Sequence, residues 1–360
     1  VIRAERLIEH RFPLDPPLKS AAGTWRERHS LLLVLGDSSG GFGIGEAAPL
    51  PDFSRDTLEA ARDALLALLG RPLPERIRDV TADLRELSAN LTSPAARFAL
   101  EAALLDAWSR RAEHPAWALL APDAGAQSLP LSAWLPDGAE GAVEVAKAAL
   151  GRGVTSFKVK LDAKRGLDDG VRTLEALRHT LGPSVSLRAD ANRSATRDAL
   201  ESYAERLRGL ELEWLEEPTA EPLAEPFGVP IALDESIEPS GALPDFDKQS
   251  FVVALVLKPT ALGGIARCLE LATHARAHGR SVAASHTLEG PVGYMASSAL
   301  AVALASHTAH GLAPHRALRE LRPRALRARR DEIFAWREHG FGLDVEQALA
   351  GAEIVREYRA

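Results

Sequence analysis

The chain has 360 residues, 46% of them hydrophobic, which suffices for a large core and exceeds one small domain; two domains, or one barrel with additions, are expected. A net charge of −7, with no basic block and no interleaved aromatics, argues against nucleic acid as a partner. Cys268 is the single cysteine, so an internal disulfide and a thiolate-rich zinc site are both excluded.

In chain order, "VIRAERLIEHRF" and "HSLLLVLG" read as strands, and "GGFGIGEAAPLP" adds a glycine-punctuated third. The opening stretch has no signal-type apolar region, and no apolar run is long enough to span a bilayer, so the expectation is a cytoplasmic protein without membrane contact. Helical spacing of apolar residues predicts helices over Thr57 to Leu69, Pro74 to Leu87 and Ser93 to Arg111. The glycine run "GGFGIGE" opens no helix and is read as a hairpin, not a dinucleotide turn.

From about Leu129 the rhythm becomes strand, helix, strand, helix. The strand candidates are "LPLSAWL", "SFKVKLD", "VSLRADAN", "LEWLEEP", "PIALDES", "FVVALVLKPT", "RSVAASHT" and a weak "AHGLA". Such units predict a parallel sheet, and their compact spacing favours closure into a barrel. After Leu321 the text turns Arg-rich and then reads "DEIFAWREHGFGLD", a tail expected to leave the barrel and pack back on the first domain. The predicted division is 1–125, 126–320 and 321–360.

In such a barrel the active site lies at the C-terminal strand ends. There the sequence places Lys158 and Lys160, then Asp190 and Asn192, Glu216 and Glu217, Asp234 and Glu235, Lys258, and finally Ser285, His286 and Thr287. One such carboxylate is ordinarily a helix cap or a salt-bridge partner, and two lysines at i, i+2 can snorkel outward. Five successive strands ending in charge are not a packed core, because Lys, Asp and Glu are rarely buried unless paired or bound. Neighbouring strands lie about 4.8 Å apart, so carboxylates from three of them can converge on one cation. An all-oxygen site suits Mg²⁺. Lys158 and Lys160 share a strand face. At roughly 6–7 Å and an effective dielectric near 20 their repulsion is on the order of 2.5 kcal/mol, which favours a neutral amine in one of them.

Together the Lys-x-Lys strand, "DAN", "EEP", "DES" and "LKPTALGG" resemble the enolase superfamily, and within it the muconate-lactonising subgroup. "GEAAPLPDFSRDTL", "ARFALEAALLDA" and "RADANR" extend the resemblance over nearly the whole chain. It implies a modified (β/α)₇β TIM-type barrel with an N-terminal α+β capping domain. It implies Asp190, Glu216 and Asp234 as ligands of Mg²⁺, with Mn²⁺ a possible substitute, Lys160 as the base, Lys258 as the opposing cation and Lys158 as its assistant. Asn192, Arg188, Ser285, His286 and Thr287 are the substrate-binding candidates; Arg188 equally fits a structural salt bridge. The pattern departs from the family at "SHTLEGPVG", where His286 sits in a turn that is often Ser-rich. The implied chemistry is removal of an α-proton beside a carboxylate, on a small anionic dicarboxylate. It ends either in loss of water or, alternatively, in racemisation or epimerisation of N-acylamino acids or dipeptides. A non-catalytic barrel that binds an anion or a partner is the third reading. Substrate choice is expected from lid segments Leu18 to Arg28 and "PLPDFS".

Overall fold

A computed structural model describes residues 1–20, 23–124, 128–164, 166–313, 317–318 and 332–360. Two long antiparallel strands, β1 (Ile2–Ser20) and β2 (Gly23–Gly36), open the chain, followed by β3 (Phe42–Ala47). Helix α1 (Leu58–Leu66), the short β4 (Pro72–Leu73), α2 (Val80–Ser88), α3 (Pro94–Arg111) and α4 (Ala116–Leu120) follow. The side chains of Thr57, Asp79 and Ser93 accept from the N–H groups of Ala60, Ala82 and Ala96, capping α1, α2 and α3. The second helix therefore starts later than its apolar spacing suggests. Asp83 takes the Arg78 N–H at 2.7 Å, which fixes a non-helical approach before the Asp79 cap.

Helix α3 is buried along almost its whole length, with the capping sheet on one side. That closeness explains the glycines of "GGFGIGE": a Cβ on Gly43 would lie 2.3 Å from the Ala103 carbonyl oxygen, and one on Gly45 1.9 Å from that of Ala99.

The barrel region comprises β5 (Ser128–Pro130), β6 (Ser132–Trp134), α5 (Ala139–Leu150), β7 (Ser156–Lys160), α6 (Leu167–Leu181), β8 (Ser186–Asp190), α7 (Arg197–Glu201), α8 (Ala204–Gly209) and β9 (Trp214–Glu216). It continues with β10 (Ile231–Leu233), β11 (Val252–Leu257), α9 (Pro259–Leu262), α10 (Ile265–Ala277), β12 (Ser281–Ala284) and α11 (Pro291–Leu304). The seven strands β6 to β12 form one parallel sheet in chain order. Its two edges meet through the weak eighth candidate, reduced to parallel bridges Leu131–His310 and Ser285–Gly311. The links after β9 and β10 carry no helix, because prolines 218, 222, 226 and 230, and then 239 and 244, interrupt them. Strand β13 (Glu332–Phe334) pairs with β5, and after α12 (Val345–Ala348) the strand β14 (Glu353–Arg359) pairs with β1. The antiparallel sheet order is β14-β1-β2-β3. No helix among the described residues is long and apolar enough to cross a membrane.

Two buried carboxylates of the first domain cap barrel helices. Glu46 accepts from Gly290 N–H at 2.8 Å and Gly293 N–H at 2.9 Å at the start of α11. Glu101 accepts from Ala266 N–H at 2.9 Å at the start of α10 and from the Ser88 hydroxyl at 2.7 Å. Burial pushes the Glu101 carboxyl up from 4.5 to about 7, although these hydrogen bonds oppose the rise. The folded state thus holds this proton more tightly than the unfolded chain, and stability falls as pH rises from about 4.5 to about 7. Glu101→Gln lacks this titration. Its unfolding free energy in urea should gain on wild type by roughly 3 kcal/mol across that window, and a pH-independent difference would contradict the assignment.

Candidate active site

Strands β7, β8 and β9 run in register, so that Lys160, Asp190 and Glu216 stand at one level and Lys158, Arg188 and Trp214 at the level below. Asp234 follows the end of β10, Lys258 the end of β11, and Ser285 to Thr287 the end of β12. Alternation along each strand turns the lysines and carboxylates inward, while Phe157, Val159, Leu187, Ala189 and Leu215 join the outer core.

The charges at the mouth pair closely. The Lys158 ammonium lies 2.6 Å from Asp190 Oδ2 and 2.7 Å from Glu216 Oε1. Lys258 pairs with Asp234. Burial works against both ammonium charges, but Asp190 and Glu216 hold Lys158 above the ordinary lysine value, and Asp234, Glu235 and Glu216 do the same for Lys258. Burial pushes the Asp190 and Asp234 carboxyls up, Asp234 strongly, with Glu216 repelling both. Glu216 is held below its usual range: burial would raise it, but Lys158 and Lys258 outweigh that.

Among the described residues no three carboxylate, imidazole or thiolate groups are arranged to grip an ion as they stand. Ammonium groups hold the carboxylates instead. The donor set nevertheless fits a hard dication: three buried carboxylates, from β8, β9 and the end of β10, crowd one another and already draw positive charge to within 2.7 Å. Lys158 differs from expectation. Its charge is offset by two carboxylates, so it repels Lys160 less than a bare ammonium would. The Lys160 side chain makes no hydrogen bond or ion pair among the described residues, and the residue is half-buried.

The two glutamates of "LEEP" divide their work. Glu216 faces the mouth, whereas Glu217, at φ 39°, accepts from the N–H groups of Asp234 and Ser236 at 2.6 and 2.9 Å and fixes the turn after β10. Asn192 lies at the rim; its N–H donates to Asp190 and its side chain to Glu235. Glu235 keeps one buried oxygen without a partner.

Two substrate-binding candidates, Arg188 and Thr287, are turned away from the mouth. Arg188 points into the barrel below the carboxylates, 3.8 Å over the Trp214 ring, with its donors on Glu213 and the Ala309 carbonyl. It takes the structural salt bridge, because a guanidinium buried at that depth needs a fixed countercharge. Thr287 is buried and donates through its N–H and hydroxyl to Glu289, both at 2.8 Å. His286 Nδ1 accepts from Leu288 N–H at 3.0 Å, and burial, helped by the Lys258 charge, lowers its pKa although Glu289 opposes the fall. Ser285 lies half-buried with its hydroxyl on the Gly311 carbonyl.

Lid segment Leu18 to Arg28 is also more fixed than expected. It belongs to the β1–β2 pair, residues 21–22 lying outside the described residues. Arg28 is buried and donates to the carbonyls of Pro49 and Leu288 at 2.8 and 3.2 Å, across the domain boundary. Sequence reasoning missed Glu289, which also accepts from Thr260, two residues after Lys258, at 2.5 Å. Its position directly before the Gly290-Pro291 helix start was the available signal. It thereby joins the loops that follow β11 and β12.

Residues 3–121 match the family described as the mandelate racemase / muconate lactonizing enzyme N-terminal domain, and residues 141–349 the enolase C-terminal domain-like family. The chain therefore belongs to the enolase superfamily, in its mandelate racemase / muconate lactonizing enzyme branch, and is an enzyme of that class. Among its relatives are two proteins named o-succinylbenzoate synthase. That of Pasteurella multocida is 31% identical over 327 residues, covering 87% of this chain and 89% of the relative. That of Aliivibrio salmonicida is 28% identical over 320 residues, covering 86% and 90%. A dipeptide epimerase of Methylococcus capsulatus, solved with Mg and the dipeptide L-Arg-D-Lys, is 26% identical with a TM-score of 0.78, covering 95% of this chain and 99% of its own. Muconate lactonizing enzyme from Pseudomonas fluorescens, at 23% identity and TM-score 0.76 over 97% and 98%, shares the fold.

Glu289→Ala would leave the buried Thr287 N–H and the Thr260 hydroxyl without an acceptor. It should lower the unfolding free energy in urea by about 2–4 kcal/mol, and a loss below about 0.5 kcal/mol would show that the loops do not depend on it.

Proposed function

We propose that this protein is a Mg²⁺-dependent dehydratase that converts 2-succinyl-6-hydroxy-2,4-cyclohexadiene-1-carboxylate to o-succinylbenzoate in menaquinone biosynthesis. The observation that carries the reading is Lys160, without an ion-pair partner among the described residues, level with Asp190 and Glu216, in a chain whose relatives over 86–87% of its length bear that enzyme's name. Asp190, Glu216 and Asp234 would hold Mg²⁺, or Mn²⁺ in its place, and the bound cation supplies positive charge where a second negative charge develops on the substrate carboxylate.

The rest is the work of the chain's own groups. Lys160 removes the α-proton, for which it must enter the step as a neutral amine. The electron pair passes into the carboxylate as an enediolate and returns to expel the hydroxyl. Lys160, now protonated, gives that proton to the departing oxygen, so water leaves on the face from which the proton was taken. The ring becomes aromatic, which makes this half of the reaction downhill. Lys258 approaches from the β11 side and sets a fixed positive charge near the enediolate. Lys158 holds Asp190 and Glu216 together. Asn192 stands at the rim, and the side-chain amide that donates one N–H to Glu235 has a second with which to meet another carboxylate of a small anionic substrate.

A second reading is favoured by the 26% identical dipeptide epimerase and by lysines on two well-separated strands: epimerisation or racemisation of dipeptides or N-acylamino acids, with Lys160 and Lys258 each serving one enantiomer. One assay series separates the two. Purified protein with the cyclohexadiene substrate should form o-succinylbenzoate, stop with EDTA and recover with Mg²⁺. Lys160→Ala should lose about 10³-fold or more in kcat. α-Proton exchange of dipeptides or N-succinylamino acids in D₂O, without turnover of the cyclohexadiene, would replace the dehydratase by the epimerase.

A further inference from the structure

The capping domain delivers an aromatic ring to the barrel mouth. Residues 50–54 close into a tight turn: the N–H groups of Phe53 and Ser54 donate to the Leu50 carbonyl at 3.2 and 2.8 Å, and the Leu50 N–H donates to the Ser54 hydroxyl at 2.9 Å. Asp52 takes a left-handed φ of 62° to complete it. One residue on, Arg55 pairs with Glu238 of the loop after β10, so the turn is tied to the barrel. The Phe53 ring centroid then lies 4.3 Å from the Lys258 ammonium.

Lys258 is only 9% exposed, so water contributes little to holding its charge. Its direct carboxylate partner, Asp234, is also crowded by Glu235 and Glu216 and is one of the three carboxylates that suit a dication. The ring face is a second source of negative potential. Lys158 has a weaker version of the same arrangement, 5.3 Å from the Trp134 ring, in addition to its two carboxylates. Among the described residues Lys160 has neither ring nor carboxylate partner. Aromatic faces therefore accompany the two lysines whose part is to stay charged and are absent from the one whose part is to accept a proton.

We propose that Phe53 is a positioning residue: its ring face holds the Lys258 ammonium in place across the mouth from Lys160. The inference rests on the role given to Lys258 in the proposed dehydratase, where it stays charged; an epimerase would need the same lysine to give up its proton in one direction.

The test uses the full-length protein with Phe53→Leu, Phe53→Trp and a series of ring-fluorinated phenylalanines at position 53. Leucine keeps apolar bulk without a face, tryptophan keeps a face, and fluorination drains the face at nearly constant shape. Phe53→Leu should lower kcat about tenfold with KM within about twofold, Phe53→Trp should restore it, and log kcat should fall with each added fluorine. A flat fluorine series, or a Phe53→Leu effect confined to KM, overturns the proposal. Absence of turnover by wild type on the cyclohexadiene overturns the dehydratase reading, and the Phe53–Lys258 contact is then judged by a readout that needs no turnover. A readout independent of activity is the NMR shift of the Lys258 side-chain protons. An upfield ring-current displacement in wild type that disappears in Phe53→Leu supports the contact, and its absence in wild type overturns it.

Discussion

Lys158, Lys258, Asp190, Glu216 and Asp234 at the barrel mouth each depend on an opposite charge within hydrogen-bonding distance. Asp190, Glu216, Asp234 and Lys258 are nearly or wholly withdrawn from water, and an isolated ion at that depth would neutralise itself. Instead Lys158 bridges two carboxylates and Lys258 meets a third. The same mutual dependence makes the site receptive to cations. Carboxylates pushed toward protonation by burial and by one another gain from any added positive charge, and ammonium groups so released can turn toward an anionic substrate.

The first domain is joined to this mouth by polar contacts at defined points. Glu46 and Glu101 sit on the N-termini of α11 and α10, where unsatisfied N–H groups and the helix dipole attract a carboxylate. Arg28 answers from the other side by taking carbonyls of the loop that follows β12. Asp106 in α3 accepts from Ile44 N–H in β3 and from Phe341 N–H in the C-terminal stretch at 3.0 and 2.7 Å, locking three remote segments together. These anchors surround the loops bearing Lys258 and Ser285, so the cap is part of the scaffold of the site as well as its cover.

Much of this was legible in the sequence, and the reason is geometric. Strand alternation with period two and the rule that barrel sites lie at strand ends are local, so "FKVK", "DAN", "EEP" and "DES" could be placed without coordinates. The glycines of "GGFGIGE" were recognised as no phosphate loop, but their cause, the approach of α3, is a contact about sixty residues away and left no local trace. Thr287 was misplaced for the same reason, and Arg188 was left between a substrate contact and the salt bridge it takes. Both share a strand or turn with mouth residues, yet Glu213 and Glu289 draw them elsewhere. The start of α2 was misjudged because one side chain, Asp83, overrides an apolar pattern that runs on through Pro74 to Arg78.

The narrow closure of the sheet has a mechanical meaning. Where other neighbouring strands are held by ladders, among the described residues the two edges meet at His310 and Gly311, with Ser132 N–H on the His310 carbonyl, His310 N–H on Pro130 and Gly311 N–H on Ala284. His310 also accepts the Ala284 N–H on its imidazole at 3.0 Å, and burial drives its pKa down to about 3, so the ring stays an uncharged acceptor over the ordinary pH range. One side chain thus supplements a missing length of strand. The cylinder is a belt fastened by a single buckle, and that buckle lies directly beside Ser285 at the rim.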